Sequence, residues 1–273
     1  MNSLFRLDKP STDDLDSFRD DGYIFFPDVL KDDARESLIE EIYTNDNVRR
    51  YLDAREKAPD AEPNSYFVRP WNERGPIGHQ LIDDPFVTAL LQTTIGADYH
   101  FCHSALNLAP RGIGPVPFHQ DHHHWKHENS VNHAERDKYY IQILYYPNGF
   151  KRGDRNLKVI PGSHLVAPTA EATPERMLAG DYDAEAGRKL VELPLEVAPG
   201  SVVYINARIF HAVDAKPVDS PQPYRIFNID IFKEAGPPHR YTQEISPEWI
   251  EGADPYRKKL FLRDAYTDDC WTA

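Results

Sequence analysis

The segment "PVPFHQDHHHWKH", Pro115 to His127, carries five histidines, an aspartate and a tryptophan. Imidazole nitrogen binds first-row transition metals, and a carboxylate adds a charged oxygen donor. His119 and Asp121 stand two positions apart, so on a β-strand, where side chains alternate between faces, both point the same way. Alone the pair carries little weight, because a chain with 12 histidines and many aspartates produces such matches from composition. The run His122, His123 and His124 is as readily a solvated stretch past a strand end as a set of ligands.

Two oddities further along the chain give the pair company. "PGSVVYINARIFHAV" starts at a Pro-Gly turn and reads as extended chain. Counted by twos, Val203, Ile205, Ala207, Ile209 and His211 share one face if no bulge intervenes. A histidine ending an apolar face is costly unless it is hydrogen-bonded or ligated. In "YRIFNID", Arg225 shares its face with Phe227, Ile229 and Ile231. A guanidinium does not deprotonate, so burying it requires an anion or several acceptors, and its fork grips a carboxylate at two points. An arginine at a strand end can also reach back to solvent.

One arrangement accounts for all three features. Two histidines and one carboxylate on one side of an iron form the facial triad of non-haem Fe(II) oxygenases, with positions left open for substrate and dioxygen. Arg225 then has its anion, the distal carboxylate of a 2-oxoglutarate whose keto-acid end chelates the metal.

The elements that must hold these groups are legible in outline. Ser11 caps a helix over "TDDLDSFRDD" that stops at Gly22. "YIFFPDVL" is extended, "KDDARESLIEEIYTND" has a helical apolar stripe of Ala34, Leu38, Ile39 and Ile42, and "DDPFVTALLQTTIG" is a capped helix ending at Gly96. Residues 53–76 are polar and turn-rich and read as a loop region carrying "SYFVRPW". From residue 97 short β-branched and aromatic runs alternate with Pro-Gly and Asn-Gly turns: "DYHFCHSALNLAP", "YYIQILYYP", "NLKVIPG", "LVELPLEVAPGSVVYIN" and "PYRIFNIDIF". "TPERMLAGDYDAEAGRKL" is a helical or loop insertion between strands. Helices followed by many short strands predict an α+β fold with a β-sandwich or jelly-roll core.

Composition bounds the function. The 273 residues suffice for one large domain, and we read 1–273 as one, with an N-terminal helical part over 12–96, a core over about 97–233 and a C-terminal extension over 234–273. A net charge of −13 argues against nucleic acid, which requires clustered cations. With only Cys102 and Cys270 there is no disulfide framework, and a reducing, cytoplasmic setting is the default. No apolar run approaches the ~20 residues of a membrane helix, and the start "MNSLFRLDKPST" lacks a signal-peptide core.

The chain resembles the phytanoyl-CoA dioxygenase family of Fe(II)/2-oxoglutarate-dependent oxygenases. The matching pieces are "FHQD" (118–121), "LKVIPGSH" (157–164), "APGSVVYINARIFHAV" (198–213) and "YRIFNIDIF" (224–232), with "FRDDGYIFFPDVL" similar to the family's opening helix and strand. The resemblance implies a cupin-like double-stranded β-helix core flanked by N-terminal and inserted helices. It implies His119, Asp121 and His211 as iron ligands and Arg225 as the 2-oxoglutarate anchor, with Asn107 and Gln142 as further co-substrate contacts. His164, in "PGSH", is a turn residue that shapes the barrel. The implied activity hydroxylates or otherwise oxidises a small molecule while 2-oxoglutarate and dioxygen become succinate and carbon dioxide.

Two departures stand out. The stretch between His211 and Arg225 is longer than usual and looks like a surface loop. "NGFKRGDRN" replaces the family's acidic-Asn-Gly run, which bears on substrate recognition. If the strand of His119 continues, alternation turns His123 and Trp125 toward the metal; if it ends at Asp121, all three consecutive histidines lie in a loop. Trp125, His123, Tyr140 and Phe227 are the expected substrate-binding residues, with "SYFVRPW" as a lid and Arg69 and Arg208 as cations able to meet a polar or anionic substrate. A small polar metabolite or natural product fits these walls better than an acyl-CoA. The competing readings are a cupin-type iron oxygenase that works without 2-oxoglutarate, which leaves Arg225 unexplained, and a non-enzymatic metal-binding jelly roll.

Overall fold

The structure is a computed structural model that describes residues 2–69, 71, 74–121, 140–234 and 247–261. The chain opens with α1 (Thr12–Asp21), β1 (Tyr23–Phe26), α2 (Asp32–Thr44), α3 (Asp46–Lys57), β2 (Tyr66–Val68), α4 (Pro76–Asp83) and α5 (Pro85–Ile95). The strand-rich part follows with β3 (Tyr99–Pro110), β4 (Val116–His119), β5 (Tyr140–Tyr146) and β6 (Leu157–Val159). After two short helices, α6 (Pro174–Leu178) and α7 (Asp183–Ala186), come β7 (Leu193–Pro194), β8 (Ser201–Asn206), β9 (His211–Val213), β10 (Tyr224–Glu234) and α8 (Pro255–Phe261).

The helix boundaries have local causes. Ser11 and Asp14 form a reciprocal capping box at the start of α1, and Gly22, at φ 84° in the left-handed region, ends it. Asp84 caps α5 through the Phe86 amide. Asn45 accepts from the amides of Asn47 and Val48 and starts α3, a helix that runs on to Lys57, into the segment expected to be a loop from residue 53.

The strands form two antiparallel sheets, a six-stranded one in the order β1-β8-β5-β10-β3-β2 and a four-stranded one in the order β4-β9-β6-β7. This is the double-stranded β-helix expected from the sequence. Alternation along the large sheet divides it cleanly. Ile141, Ile143, Tyr145, Val202 and Tyr204 face the helices and join Phe18, Leu38, Phe86 and Leu90 in one core. Leu144, Tyr146, Val203, Ile205, Ile229 and Ile231 face the small sheet and join Leu157 and Val159 in a second. The second layer is incomplete, and the gap in it is the site described below.

The extended reading of "PGSVVYINARIFHAV" needs one correction. β8 ends at Asn206, a turn closed by the Ile209 amide donating to the Asn206 carbonyl follows, and His211 opens β9 in the other sheet. His211 is therefore not the end of the apolar face of β8; the chain changes sheets to deliver it. In "SYFVRPW", Tyr66–Val68 pairs with β3 as an edge strand and Trp71 is buried in the helix-side core, while Ser65, Phe67 and Arg69 line the cavity described below.

Candidate active site

His119 is the last residue of β4 and His211 the first of β9, and the two are directly paired across the strands. The four residues Val116–His119 of β4 lie opposite the three residues His211–Val213 of β9, a register shift between Val116 and His119. Each imidazole is oriented from behind: Nδ1 of His119 lies 2.9 Å from the Pro117 carbonyl, and Nδ1 of His211 lies 3.2 Å from that of Ile209. A carbonyl can only accept, so in the neutral rings Nδ1 carries the proton and Nε2 presents its lone pair, as a metal ligand must.

Asp121 lies in a bend just past the end of β4. The shared-face argument for His119 and Asp121 therefore does not describe how they meet; the chain turns after His119 and brings the carboxylate back. Its oxygens stand 3.7 Å from His119 Nε2 and 3.2 Å from His211 Nε2. One donor atom from each of the three residues lies within 4.8 Å of the others, a spacing that fits one cation. Gln142, on β5, donates from its amide to the second oxygen of Asp121. Gln142 thus meets the triad carboxylate while also lining the cavity in which the resemblance implies a co-substrate contact.

The electrostatics favour positive charge among these groups. Burial pushes Asp121 upward, but the charge and hydrogen bond of His211, with His119 and Gln142, outweigh it and hold the carboxyl well below its usual range. Burial pushes the His211 imidazole down, but Asp121 and the Ile209 carbonyl raise it above its ordinary value. Burial and the neighbouring His211 lower His119. An ionised carboxylate beside two imidazoles is a donor set that suits a divalent transition metal.

The three groups open onto a cavity of about 500 Å³ between the two sheets. Asn107 of β3, Gln142 and Leu144 of β5, and Arg225, Phe227 and Ile229 of β10 line it from the large sheet, facing Val116, Leu157 and Val213 from the small one. Arg225 is 2 % exposed, so it does not reach solvent as a strand-end arginine could. Its Nη2 donates to the Tyr146 hydroxyl at 3.1 Å, its Nε has no partner, and the rings of Tyr146, Phe150 and Phe227 surround it. Burial pulls the guanidinium below its ordinary pKa, against the charges of Tyr146 and Asp154. A buried cation lining a cavity is a site for an anion, so the residues present fit a metal-chelating diacid.

The remaining expected residues divide. Asn107 lines the cavity while its side-chain amide donates to the Tyr66 carbonyl at 3.2 Å. Phe227 lines it and meets Phe67 edge-on. Arg69 lines the mouth, stacked over Phe67. Arg208 is buried and donates to the Val166 carbonyl, and it is not among the residues lining the cavity. His164 is buried beside the Arg19 carbonyl, as a turn residue should be. His123 and Trp125 lie outside the described residues; Tyr140 begins β5, with its side chain outside them as well. β4 ends at His119, so alternation does not carry beyond it.

Sequence reasoning missed Arg155, which is buried, lines the cavity and has an unpartnered Nε. The available signal was the departure "NGFKRGDRN", read only as a change in substrate recognition. The stretch after His211 holds a second surprise: Lys216 and Ser220 are buried and bonded to Asp154 at 2.6 and 2.7 Å, so that stretch is anchored rather than a plain surface loop.

The phytanoyl-CoA dioxygenase (PhyH) family matches residues 18–226, about three quarters of the sequence. The chain belongs to the phytanoyl-CoA dioxygenase family. As a member it is an iron- and 2-oxoglutarate-dependent oxidoreductase. No curated protein matches the chain. Solved structures share its fold at low identity. The non-heme alpha ketoglutarate dependent carbocyclase SnoK from nogalamycin biosynthesis has a TM-score of 0.60 at 17% identity, over 86% of this chain and 87% of that one. EctD from S. alaskensis, with bound Fe, has a TM-score of 0.60 at 19% identity, over 86% and 82%. HygX from Streptomyces hygroscopicus, with nickel, 2-oxoglutarate and hygromycin B bound, has a TM-score of 0.57 at 14% identity, over 84% and 88%. Among the described residues, no helix is long and apolar enough to cross a membrane.

Proposed function

We propose that this phytanoyl-CoA dioxygenase family member hydroxylates a small polar molecule, a metabolite or natural-product intermediate, at the cavity between its two sheets. His119, Asp121 and His211 hold Fe(II), and Arg225 holds the distal carboxylate of 2-oxoglutarate. The observation that carries this reading is the convergence of the three donor atoms within 4.8 Å, with the Arg225 guanidinium in the same cavity.

Bound iron and 2-oxoglutarate supply the oxidising chemistry, turning the co-substrate and dioxygen into succinate and carbon dioxide. The protein supplies placement. The carbonyls of Pro117 and Ile209 fix both imidazoles with Nε2 toward Asp121, where they would hold the metal, and Gln142 fixes the carboxylate. Leu144, Leu157, Val213 and Ile229 give the cavity apolar walls that exclude water. Phe67, Phe227 and Arg69 form the part best placed to receive a substrate with both flat apolar and polar portions.

Oxygen uptake and succinate formation, measured with and without 2-oxoglutarate across a panel of polar metabolites, test the proposal. Uptake that requires 2-oxoglutarate and rises with one substrate supports it. Uptake indifferent to 2-oxoglutarate points instead to the cupin-type oxygenase that dispenses with it.

A further inference from the structure

Arg155 stands just before β6 with its backbone in the left-handed region, φ 59°, a conformation side-chain-bearing residues seldom adopt. Such an outlier persists only where its surroundings hold it. Its Nη1 donates to the Gly114 carbonyl at 2.7 Å and to the Asp214 carbonyl at 3.2 Å. Gly114 precedes β4 and Asp214 follows β9, so Arg155 bridges the end of that strand pair opposite to His119 and His211. At the strand rise the two ends are roughly 10 Å apart, a gap that an arginine side chain and a five-carbon diacid together can span.

Arg155, on the small-sheet side, lines the same cavity as Arg225 of the large sheet, and both guanidiniums are buried with an unpartnered Nε. Burial first and then the charge of Arg225 pull the Arg155 guanidinium down to about 10. The carboxylate adjacent in sequence offsets the burial of Arg225 only in part and hydrogen-bonds neither guanidinium, since Asp154 Oδ1 accepts from Lys216 Nζ and Ser220 Oγ. Among the described residues lining the cavity the sole carboxylate is Asp121, which is engaged with the histidines. Two buried like charges on one cavity are unfavourable unless an anion sits between them.

We infer that Arg155 is a second anchor for the distal carboxylate of 2-oxoglutarate, which lies between two guanidinium groups rather than on Arg225 alone. The inference rests on the proposed co-substrate. It makes the pocket strongly selective for a dianion over a 2-oxo acid of the same length that lacks the distal carboxylate.

The test is anaerobic binding of 2-oxoglutarate and of 2-oxopentanoate to the Fe(II)-loaded full-length protein, without substrate, for wild type, Arg155→Gln, Arg155→Lys and Arg225→Gln. Wild type prefers 2-oxoglutarate. Arg155→Gln weakens 2-oxoglutarate by about tenfold or more, in line with loss of a charged hydrogen bond, and leaves 2-oxopentanoate unchanged. Arg155→Lys recovers part of the preference. Equal weakening of both acids assigns Arg155 to holding the Gly114 and Asp214 carbonyls and overturns the inference, as does an unchanged 2-oxoglutarate affinity. Loss of selectivity in Arg225→Gln alone leaves the proposed function standing and removes only Arg155. A wild type that does not distinguish the two acids removes both.

Discussion

His119 and His211 face each other across the β4–β9 pair, one the last residue of its strand and the other the first, with ring centroids 4.3 Å apart. Their spacing is thus fixed by backbone pairing and by the carbonyls behind each ring. Replacing either histidine by alanine should lower Fe(II) affinity by more than the roughly 10–100-fold seen on losing a group that only orients a ligand. Competition with a chromogenic chelator measures it, and an unchanged circular dichroism spectrum shows that the sheet survives. Retained tight binding in His211→Ala would instead favour the run of histidines 122–124 as the metal holder.

Gln142 fixes one oxygen of Asp121 from the neighbouring sheet. Gln142→Leu keeps the volume and removes the donor. Fe(II) affinity should fall by about 10–100-fold, with a smaller change in 2-oxoglutarate affinity measured at saturating iron. A larger effect on 2-oxoglutarate than on iron would return Gln142 to the co-substrate role implied by the family resemblance.

Behind the large sheet, Arg74 donates to Asp230 at 2.7 Å and to Asn228 at 3.1 Å, and the side chains of Arg74 and Asp230 are fully buried. Burial pushes the Asp230 carboxyl up, against the pull of Arg74. Arg74→Met leaves an unpaired acid in the core and should cost about 3–5 kcal/mol in urea unfolding. Adding Asp230→Asn should restore much of that loss. Additive losses in the double variant would show that the two side chains do not act as a pair.

His79 is partly buried against Trp249, and burial, with the charges of Arg74 and Arg257, lowers it from 6.5 to about 4. Between those values the unfolded chain takes up a proton that the folded chain refuses, so stability rises with pH through this window and is lost on acidification. Solvent screening of the half-exposed ring limits the effect to about 1–2 kcal/mol. His79→Gln should flatten the stability difference between pH 6.5 and pH 4 by that amount in urea titrations. An unchanged slope would show that the ring is protonated as easily in the folded chain as in the unfolded one.

The triad was legible because its residue types are costly where the strand pattern places them, and Arg225 for the same reason. The route by which they meet was not. Alternation by twos carried His211 along β8, but a four-residue turn moves it to the other sheet, and nothing in "NARIF" announces a change of partner. Asp121 was given the face of His119, whereas the chain bends after β4. α3 went unseen because its apolar stripe, Val48 with Tyr51 and Leu52 packed beside it, is short and set among charged residues. Arg155 was invisible for a different reason: its reach into the cavity depends on a left-handed backbone at a non-glycine residue, which propensity argues against.

The central claim is that three donors and one guanidinium assemble a single iron and 2-oxoglutarate site. Anaerobic addition of Fe(II) and then 2-oxoglutarate to the apo-protein, followed by visible absorption, tests it most directly. The account predicts a weak charge-transfer band that requires both components, is absent in Asp121→Ala and is reduced in Arg225→Gln. A folded wild-type protein that shows no band, or a band that persists in Asp121→Ala, would contradict it.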